Sequence, residues 1–238
     1  LWVEQTGKFT FSNSILKNCQ VYNGNALGGR LSSLDSIVIY NSKFLNNHDN
    51  FNTDGVISID YVDYVSMNKV EFSGNSSVTG SAIRLDGANY FEIDSSRFNS
   101  NISNVGGVIW TGPCSISIKN SLFINNSGLM SVLGYRDPDW HPFEFLINIE
   151  NSSIINNDNV INYQSYSSPP QNGQQVPEFE ISNTVFWDNQ TDIIMPQSNW
   201  SNVFMGSLDV MNCLIDTTAD WNSYNSGINN IFINPLFC

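Results

Sequence analysis

An aromatic residue followed three positions later by asparagine recurs along this chain. The clear copies of this F-x-x-N motif are Phe44/Asn47, Phe72/Asn75, Phe98/Asn101, Phe123/Asn126 and Phe186/Asn189. A motif that supplied catalytic groups would be needed once, whereas a motif carried by segment after segment indicates a repeating architecture. The repeat therefore constrains the fold more than any other feature of the sequence.

Aligning the chain on this motif reveals columns of like residues at intervals of 25 to 32 positions. The first column contains Leu16, Phe44, Phe72, Phe98, Phe123, Ile154, Phe186 and Ile215. A second column, three residues earlier, contains Asn13, Asn41, Lys69, Ser95, Asn120, Asn151, Asn183 and Asn212. The positions two and four residues before this second column are apolar in every segment. Agreement of this kind indicates that equivalent residues occupy equivalent places in a stack.

Each repeat alternates like a β-strand. Stretches such as "SIVIYNSKF" and "SISIKNSLF" place apolar side chains at every second position, so one face is buried. A second apolar strand follows 11 to 13 residues after the aromatic and often opens with glycine, as in "GVISI" and "GSAIRL". No repeat has a helical period of 3.6, and a unit of this length cannot form a core alone.

These features predict an all-β protein, a single-stranded right-handed parallel β-helix of the pectin-lyase-like kind with eight to nine coils. Phenylalanines should stack inside, and the asparagines of the second column should stack at a corner with their amides hydrogen-bonded along the stack. We expect one domain over 1–238, part of a longer chain, with 228–238 forming a terminal coil or cap around Asn234 and Phe237. A propeller is the alternative, but its blades need longer repeats.

The charge balance excludes some partners. The formal charge is −13, and charged residues make up only 13% of the chain, while it contains 35 asparagines. Nucleic-acid binding needs a basic surface, so we expect none. No apolar run is long enough for a membrane span. The acidity is expected to keep a secreted protein soluble, or else to favour divalent cations or a basic partner.

The paired F-x-x-N and G-G-[AV]-[IL] motifs resemble the repeats of the polymorphic outer-membrane proteins of chlamydiae. The second motif is clean in "GGVI" (Gly106–Ile109) and looser in "GGRL" (Gly28–Leu31) and "GSAI" (Gly80–Ile83). The resemblance spans nearly the whole chain. It implies a β-helix that acts as a surface-exposed adhesive or structural passenger.

Two long repeats carry insertions, at 134–142 and 163–177, which should protrude side by side from one flank. The candidate ligand-contact residues in these insertions are Arg136, Asp137, Asp139, Trp140, His141, Tyr163 and Tyr166. Exposed aromatic residues there would favour contact with a sugar or a protein. Elsewhere, Asp60 and Asp86 follow the second strand on adjacent repeats and could lie near each other as turn residues facing water.

Modification sites and cysteines add further candidates. Asn-x-Ser/Thr sequons begin at Asn75, Asn101, Asn125, Asn151, Asn189 and Asn199, and they would carry glycans only in a eukaryotic secretory protein. Cys213 and Cys238 lie on adjacent repeats, so a disulfide could clamp that end; the alternative is that each is a small buried residue. Cys19 and Cys114 are about four coils apart, roughly 19 Å, too far for a bridge.

These observations favour a non-catalytic extracellular or cell-surface module with a structural or adhesive role, which could assemble end to end into a filament. Its partners would be further copies of itself, or extracellular glycans or proteins. Carbohydrate binding through the flank insertions is one alternative, and a polysaccharide lyase or glycoside hydrolase is another. No catalytic residue, metal site or cofactor is assigned, and calcium remains possible without support.

Overall fold

The structure is a computed structural model, and it describes residues 7–21, 26–49, 55–105, 107–112, 114–128, 133–137, 146–165, 178–194, 208–216 and 229–233. These residues form 25 β-strands and no helix. The first strands are β1 (Gly7–Ser12), β2 (Ile15–Lys17), β3 (Gln20–Val21), β4 (Leu27–Leu45), β5 (His48–Asp49), β6 (Ile57–Ser73), β7 (Ser76–Thr79), β8 (Ile83–Asp86), β9 (Tyr90–Asp94), β10 (Arg97–Asn99), β11 (Ile102–Val105), β12 (Ile109–Thr111) and β13 (Ser115–Lys119). The remaining strands are β14 (Leu122–Ile124), β15 (Ser127–Gly128), β16 (Leu133–Asp137), β17 (Leu146–Glu150), β18 (Ser153–Ile155), β19 (Asn159–Ser165), β20 (Glu178–Ser182), β21 (Val185–Trp187), β22 (Thr191–Ile194), β23 (Leu208–Met211), β24 (Leu214–Asp216) and β25 (Ile231–Ile233).

Every strand pairing is parallel and joins equivalent positions of successive repeats, so the chain winds as a β-solenoid. The residues of the predicted aromatic column pair with one another in register through the main sheet, and so form a single file. This file contains Leu16, Phe44, Phe72, Phe98, Phe123, Ile154, Phe186, Ile215 and then Phe232. The apolar columns pair in the same way, for example Phe11 with Ile39 and Ile39 with Met67. The all-β fold and the repeat alignment are therefore confirmed.

The number of turns differs from the prediction. A second, smaller sheet consists of five strands, β3, β5, β7, β11 and β15, one from each of five successive turns. Counted by turns in which both sheets are present, the described solenoid has about five, fewer than the eight to nine coils predicted. Among the described residues, the long repeats beyond β15 contribute strands to the main sheet only.

The core is a file of stacked phenylalanine rings flanked by aliphatic side chains. Phe44, Phe72, Phe98 and Phe123 are all fully buried. Successive ring centroids lie 4.8, 5.1 and 4.6 Å apart, with planes within 8° of parallel. The spacing equals that between neighbouring strands, because each ring rises from the same position of its own coil.

The predicted asparagine corner exists, but its amides do not form one continuous inner ladder. Every residue of that column adopts a left-handed φ near 50°, which asparagine tolerates better than most residues. The side chains lie outside: the carboxamide of Asn41 donates to Asn13 over 2.7 Å, and that of Asn229 donates to Asn212 over 3.3 Å. The column therefore turns the backbone, and its exposed amides are linked only in places.

The predicted terminal coil at 228–238 has its corner at an earlier residue than expected. β25 pairs with β24, which brings Phe232 beside Ile215. Asn229 is the corner residue, with φ 59°, so the corner expected at Asn234 belongs five residues upstream. Phe237 and the rest of 234–238 lie outside the described residues.

Candidate functional site

The asparagine of the F-x-x-N motif forms a continuous ladder inside the solenoid. Each carboxamide nitrogen donates to the carboxamide oxygen of the next coil over 2.9–3.1 Å. The ladder contains Asn47, Asn75, Asn101, Asn126, Asn157 and Asn189. All of these side chains are buried, and a residue with positive φ precedes each of them. This is the second corner of every coil, at the end of the strand that carries the aromatic residue.

Each amide in the ladder uses all its main hydrogen-bonding capacity, as Asn101 illustrates. Its oxygen accepts from both the backbone N–H and the carboxamide of Asn75, over 3.1 and 2.9 Å. Its nitrogen donates to the oxygen of Asn126 over 3.0 Å and to the Phe72 carbonyl over 3.1 Å. A buried polar group without a partner costs about 1–3 kcal/mol, so the ladder removes a recurring penalty at a turn that leaves backbone groups inside.

At the first corner of each coil, a column of hydroxyl groups satisfies backbone N–H groups. The residue after the corner asparagine is usually serine or threonine, and its hydroxyl accepts the backbone N–H of the equivalent residue one coil earlier. Such bonds join Ser14 to Ser42, Val70 to Ser96, Ser96 to Ser121, Ser121 to Ser152 and Ser152 to Thr184. The Asn-Ser and Asn-Thr dipeptides of the repeat therefore combine a residue that turns the chain with one that caps a buried N–H.

These two corner patterns also generate the sequons. Asn75, Asn101 and Asn189 are ladder residues with side chains between 0% and 6% exposed, so a glycan on any of them is incompatible with this fold. Asn125 and Asn151 are exposed corner residues. Their use as glycosylation sites stays a prediction, and Asn199 lies outside the described residues.

A charged cluster lies on the outside of three neighbouring coils, where the second strand ends. The register pairs Asp60 with Asp86 and Arg84 with Trp110, so the expected proximity of the two aspartates is confirmed. Arg84 Nη1 lies 3.7 Å from Asp60 Oδ1, and Nη2 lies 3.3 Å from Asp86 Oδ2. The guanidinium carbon is 5.2 Å from the centroid of the Trp110 ring, within the range of a cation–π contact.

Two glycines, which lack a Cβ atom, leave room for the side chains of this cluster. A Cβ at Gly112 would lie 2.8 Å from Asp86 Oδ1, and one at Gly87 would lie 3.0 Å from the ring of Tyr61. Tyr61 itself is 68% exposed and has a φ of 56°, a conformation that is rare for a bulky residue. The cluster thus combines an arginine shared by two carboxylates with the buried ring of Trp110, and the exposed ring of Tyr61 lies beside Gly87. Chemically it can offer hydrogen bonds and a flat apolar surface to a polar ligand.

The two insertions begin as paired strands. β16 and β19 place Tyr135 opposite Tyr163, Arg136 opposite Gln164 and Asp137 opposite Ser165. The segments expected to protrude from 134 and 163 therefore continue the sheet to 137 and 165 first. Asp139, Trp140, His141 and Tyr166 lie outside the described residues, so ligand contact by these loops stays a prediction.

The cysteines are thiols in the part of the chain that the structure describes. Cys213 is a free, buried thiol, the second of the two alternatives that the sequence left open, and Cys238 lies outside the described residues. Cys213 occupies the inward corner position that serine takes on other coils, with Sγ 3.3 Å from the Met211 carbonyl oxygen. Burial raises the pKa of the Cys114 thiol to about 12, so this thiol is un-ionised at neutral pH.

Among the described residues, no three His, Cys, Asp or Glu side chains converge as a metal-binding group would. No helix in those ranges is long and apolar enough to cross a membrane.

Comparisons with known proteins add no relative. No protein-family model matches the sequence, and searches of curated proteins and of solved structures give no match either. The resemblance to the chlamydial repeats therefore stays a prediction.

The amide ladder should dominate local stability. We expect Asn101→Ala to lower the free energy of unfolding by about 3–5 kcal/mol, because it leaves two donors on Asn75 and the Phe72 carbonyl without a partner. Urea denaturation followed by circular dichroism measures this change. Asn99→Ala is the matched control, since the Asn99 side chain makes two long contacts, 3.4 Å to Ser73 and 3.3 Å from the exposed Ser100, and it should cost less than about 1 kcal/mol. Equal losses in the two variants would contradict the ladder's role.

Glycan occupancy should follow burial. If the chain is secreted from a eukaryotic host, we expect the folded fraction to carry glycans only at Asn125 and Asn151 among the described sequons, because both are exposed. Mass spectrometry of peptides from the folded fraction measures occupancy at each site. A glycan on Asn75 or Asn101 in folded material would show that the interior ladder is not as described.

Proposed function

We propose that the chain is a non-catalytic extracellular module, a rigid β-helical rod with a structural or adhesive role at a cell surface. The observation that carries the proposal is the buried amide ladder from Asn47 to Asn189, which binds six coils into one unit. Because every coil is held by the same bonds, such a rod resists local opening and offers a long surface of constant geometry.

The charged side chains on the outside of the solenoid support a role without catalysis. A glycosidase needs one carboxyl group that donates a proton and a second that acts as base or nucleophile. Asp60 and Asp86 instead face the same guanidinium, that of Arg84, which links adjacent coils. This arrangement suits a contact surface better than an acid–base pair.

The proposal includes the finer geometry of the solenoid. We infer a right-handed path, because parallel crossovers between strands of one sheet are right-handed in almost all proteins. Each coil lengthens the rod by about 4.8 Å, the spacing between neighbouring strands.

End-to-end assembly follows from the edges of the main sheet. Among the described strands, β1 pairs only with β4 and β25 pairs only with β24. A parallel sheet edge can accept another strand, so head-to-tail contact between rods would extend the ladders and generate an open filament.

Electron microscopy and sedimentation test this proposal. We expect single rods at low protein concentration and longer rods, in whole multiples of the length of a single rod, as concentration rises. Particles that stay single at every concentration would overturn the filament. Release of oligosaccharides from acidic or neutral polysaccharides by the purified protein would overturn the non-catalytic role.

A further inference from the structure

A groove on the outside of the solenoid collects positive charge in a protein that is otherwise acidic. Three successive coils line it, and its volume is about 270 Å³. Its cations are Lys43, Lys69 and Arg97, all with exposed side chains, and its single carboxylate belongs to Glu71. The groove therefore has a net charge of +2, because three positive groups face one negative group.

The register explains how these charges come together. Lys43, Glu71 and Arg97 occupy the same outward position on consecutive coils. Lys43 Nζ lies 2.7 Å from Glu71 Oε2, which satisfies that carboxylate. Lys69 and Arg97 make no ion pair with any other described residue. The backbones that carry Lys43 and Arg97 are two rungs apart, roughly 10 Å, so the groove runs along the rod axis.

Lys69 is an unexpected residue at its position. It occupies the corner column, with φ 53°, where most coils have asparagine. Lysine accepts the left-handed region less readily than asparagine does, so this coil accepts backbone strain and gains a cation above the groove. Ser95, on the next coil, also departs from asparagine at this corner, with φ 52°, and it lines the same groove. Strain retained at such positions suggests function.

Neutral hydrogen-bond donors hold the carboxylate of the neighbouring Asp94. Asp94, on the other side of the corner, accepts hydrogen bonds from Asn68, Ser95 and Asn120. All nine lysines and arginines lie between positions 8 and 136, whereas twelve of the 22 acidic residues lie in 137–238. The groove thus lies in the part of the chain whose formal charge is close to zero. Most of the net negative charge belongs to 137–238.

The lining favours a hydroxyl-rich ligand. Apart from the cations and Glu71, the groove is lined by Asn41 and Ser95, which are exposed, and by Ser42 and Val70, which are each 1% exposed. An apolar pocket for the side chains of a peptide is absent from this lining. Amide and hydroxyl groups between cations match a sugar chain that carries anionic groups.

We propose that this groove binds an acidic oligosaccharide, with Lys69 and Arg97 contacting its carboxylate or sulfate oxygens. The inference rests on the proposed adhesive role and gives it a ligand class. Because the site lies on the flank of the rod, binding would leave the ends free for assembly.

Binding measurements with defined probes test the proposal. Isothermal titration at low salt would compare an oligogalacturonate, a sulfated heparin-derived hexasaccharide and neutral maltohexaose. We expect binding of at least one acidic probe and none of maltohexaose, with the affinity falling as salt rises. The preferred acidic probe distinguishes a carboxylate ligand from a sulfate ligand.

Lys69→Asn is the decisive variant because it restores the common corner residue and should not impair folding. We expect Lys69→Asn and Arg97→Gln each to weaken binding by roughly five- to tenfold, as loss of one charged hydrogen bond would. Lys119→Gln removes the same charge outside the groove, where Lys119 lies 3.9 Å from Glu150, and should have little effect. An equal effect of all three variants would overturn the site, since it would reflect net charge alone.

Other outcomes overturn the ligand class. Absence of binding to both acidic probes, or equally tight binding of poly-glutamate, would reject an acidic sugar as the ligand. Self-association that Lys69→Asn abolishes would assign the groove to the acidic half of a second copy instead. Rods of normal appearance for Lys69→Asn in electron microscopy would show that failure of the sugar proposal leaves the structural role intact.

Discussion

The hydrogen bonds that pass from one buried asparagine to the next hold this fold together. A parallel β-solenoid must turn its chain on every coil, and each turn leaves backbone groups facing the interior. The ladder asparagines satisfy these groups and one another, so the carboxamide of one coil requires the carboxamide of the next. Phenylalanine rings stack beside them at the same spacing, because both columns rise from the same strand. The F-x-x-N motif recurs because each coil needs both a stacked ring and a ladder asparagine.

Much of the architecture could be predicted because a solenoid repeats its environment. Where each coil offers the same buried position, the same residue type returns, and alternation identifies the inward face. Phe44, Ile39 and Ile37 each pair in register with the residue that the sequence alignment places in the same column. The glycine-led second strand also pairs as expected, with Ile57 opposite Ile83.

The position of the amide ladder could not be predicted by alternation alone. Both Asn41 and Asn47 belong to recurrent columns, and the prediction placed the continuous amide bonds at the first. Residues in the left-handed region, such as Asn46, interrupt the two-residue period and change which face the next side chain takes. Asn47 therefore points inward, while Asn41 turns the chain and remains exposed. The repeated Asn-Asn pairs, such as Asn46–Asn47 and Asn125–Asn126, were the sequence signal that could have located the inner ladder.

The outer sites depend on side-chain geometry that the repeat does not specify. The alignment placed Asp60 and Asp86 on adjacent coils, yet the bridge that Arg84 makes between them requires coordinates. The basic groove was missed because its cations come from two different columns, and each alone looks like an ordinary surface residue. Only a departure from the column, lysine where asparagine is usual, marked Lys69 in the sequence.

Hydrogen exchange of the asparagine side-chain amides, measured by NMR, tests the interior ladder most directly. The carboxamide protons of Asn75, Asn101 and Asn126 should exchange far more slowly than those of the exposed Asn41, because opening them requires several coils to separate. Exchange at equal rates in the two groups would contradict a hydrogen-bonded ladder inside the solenoid.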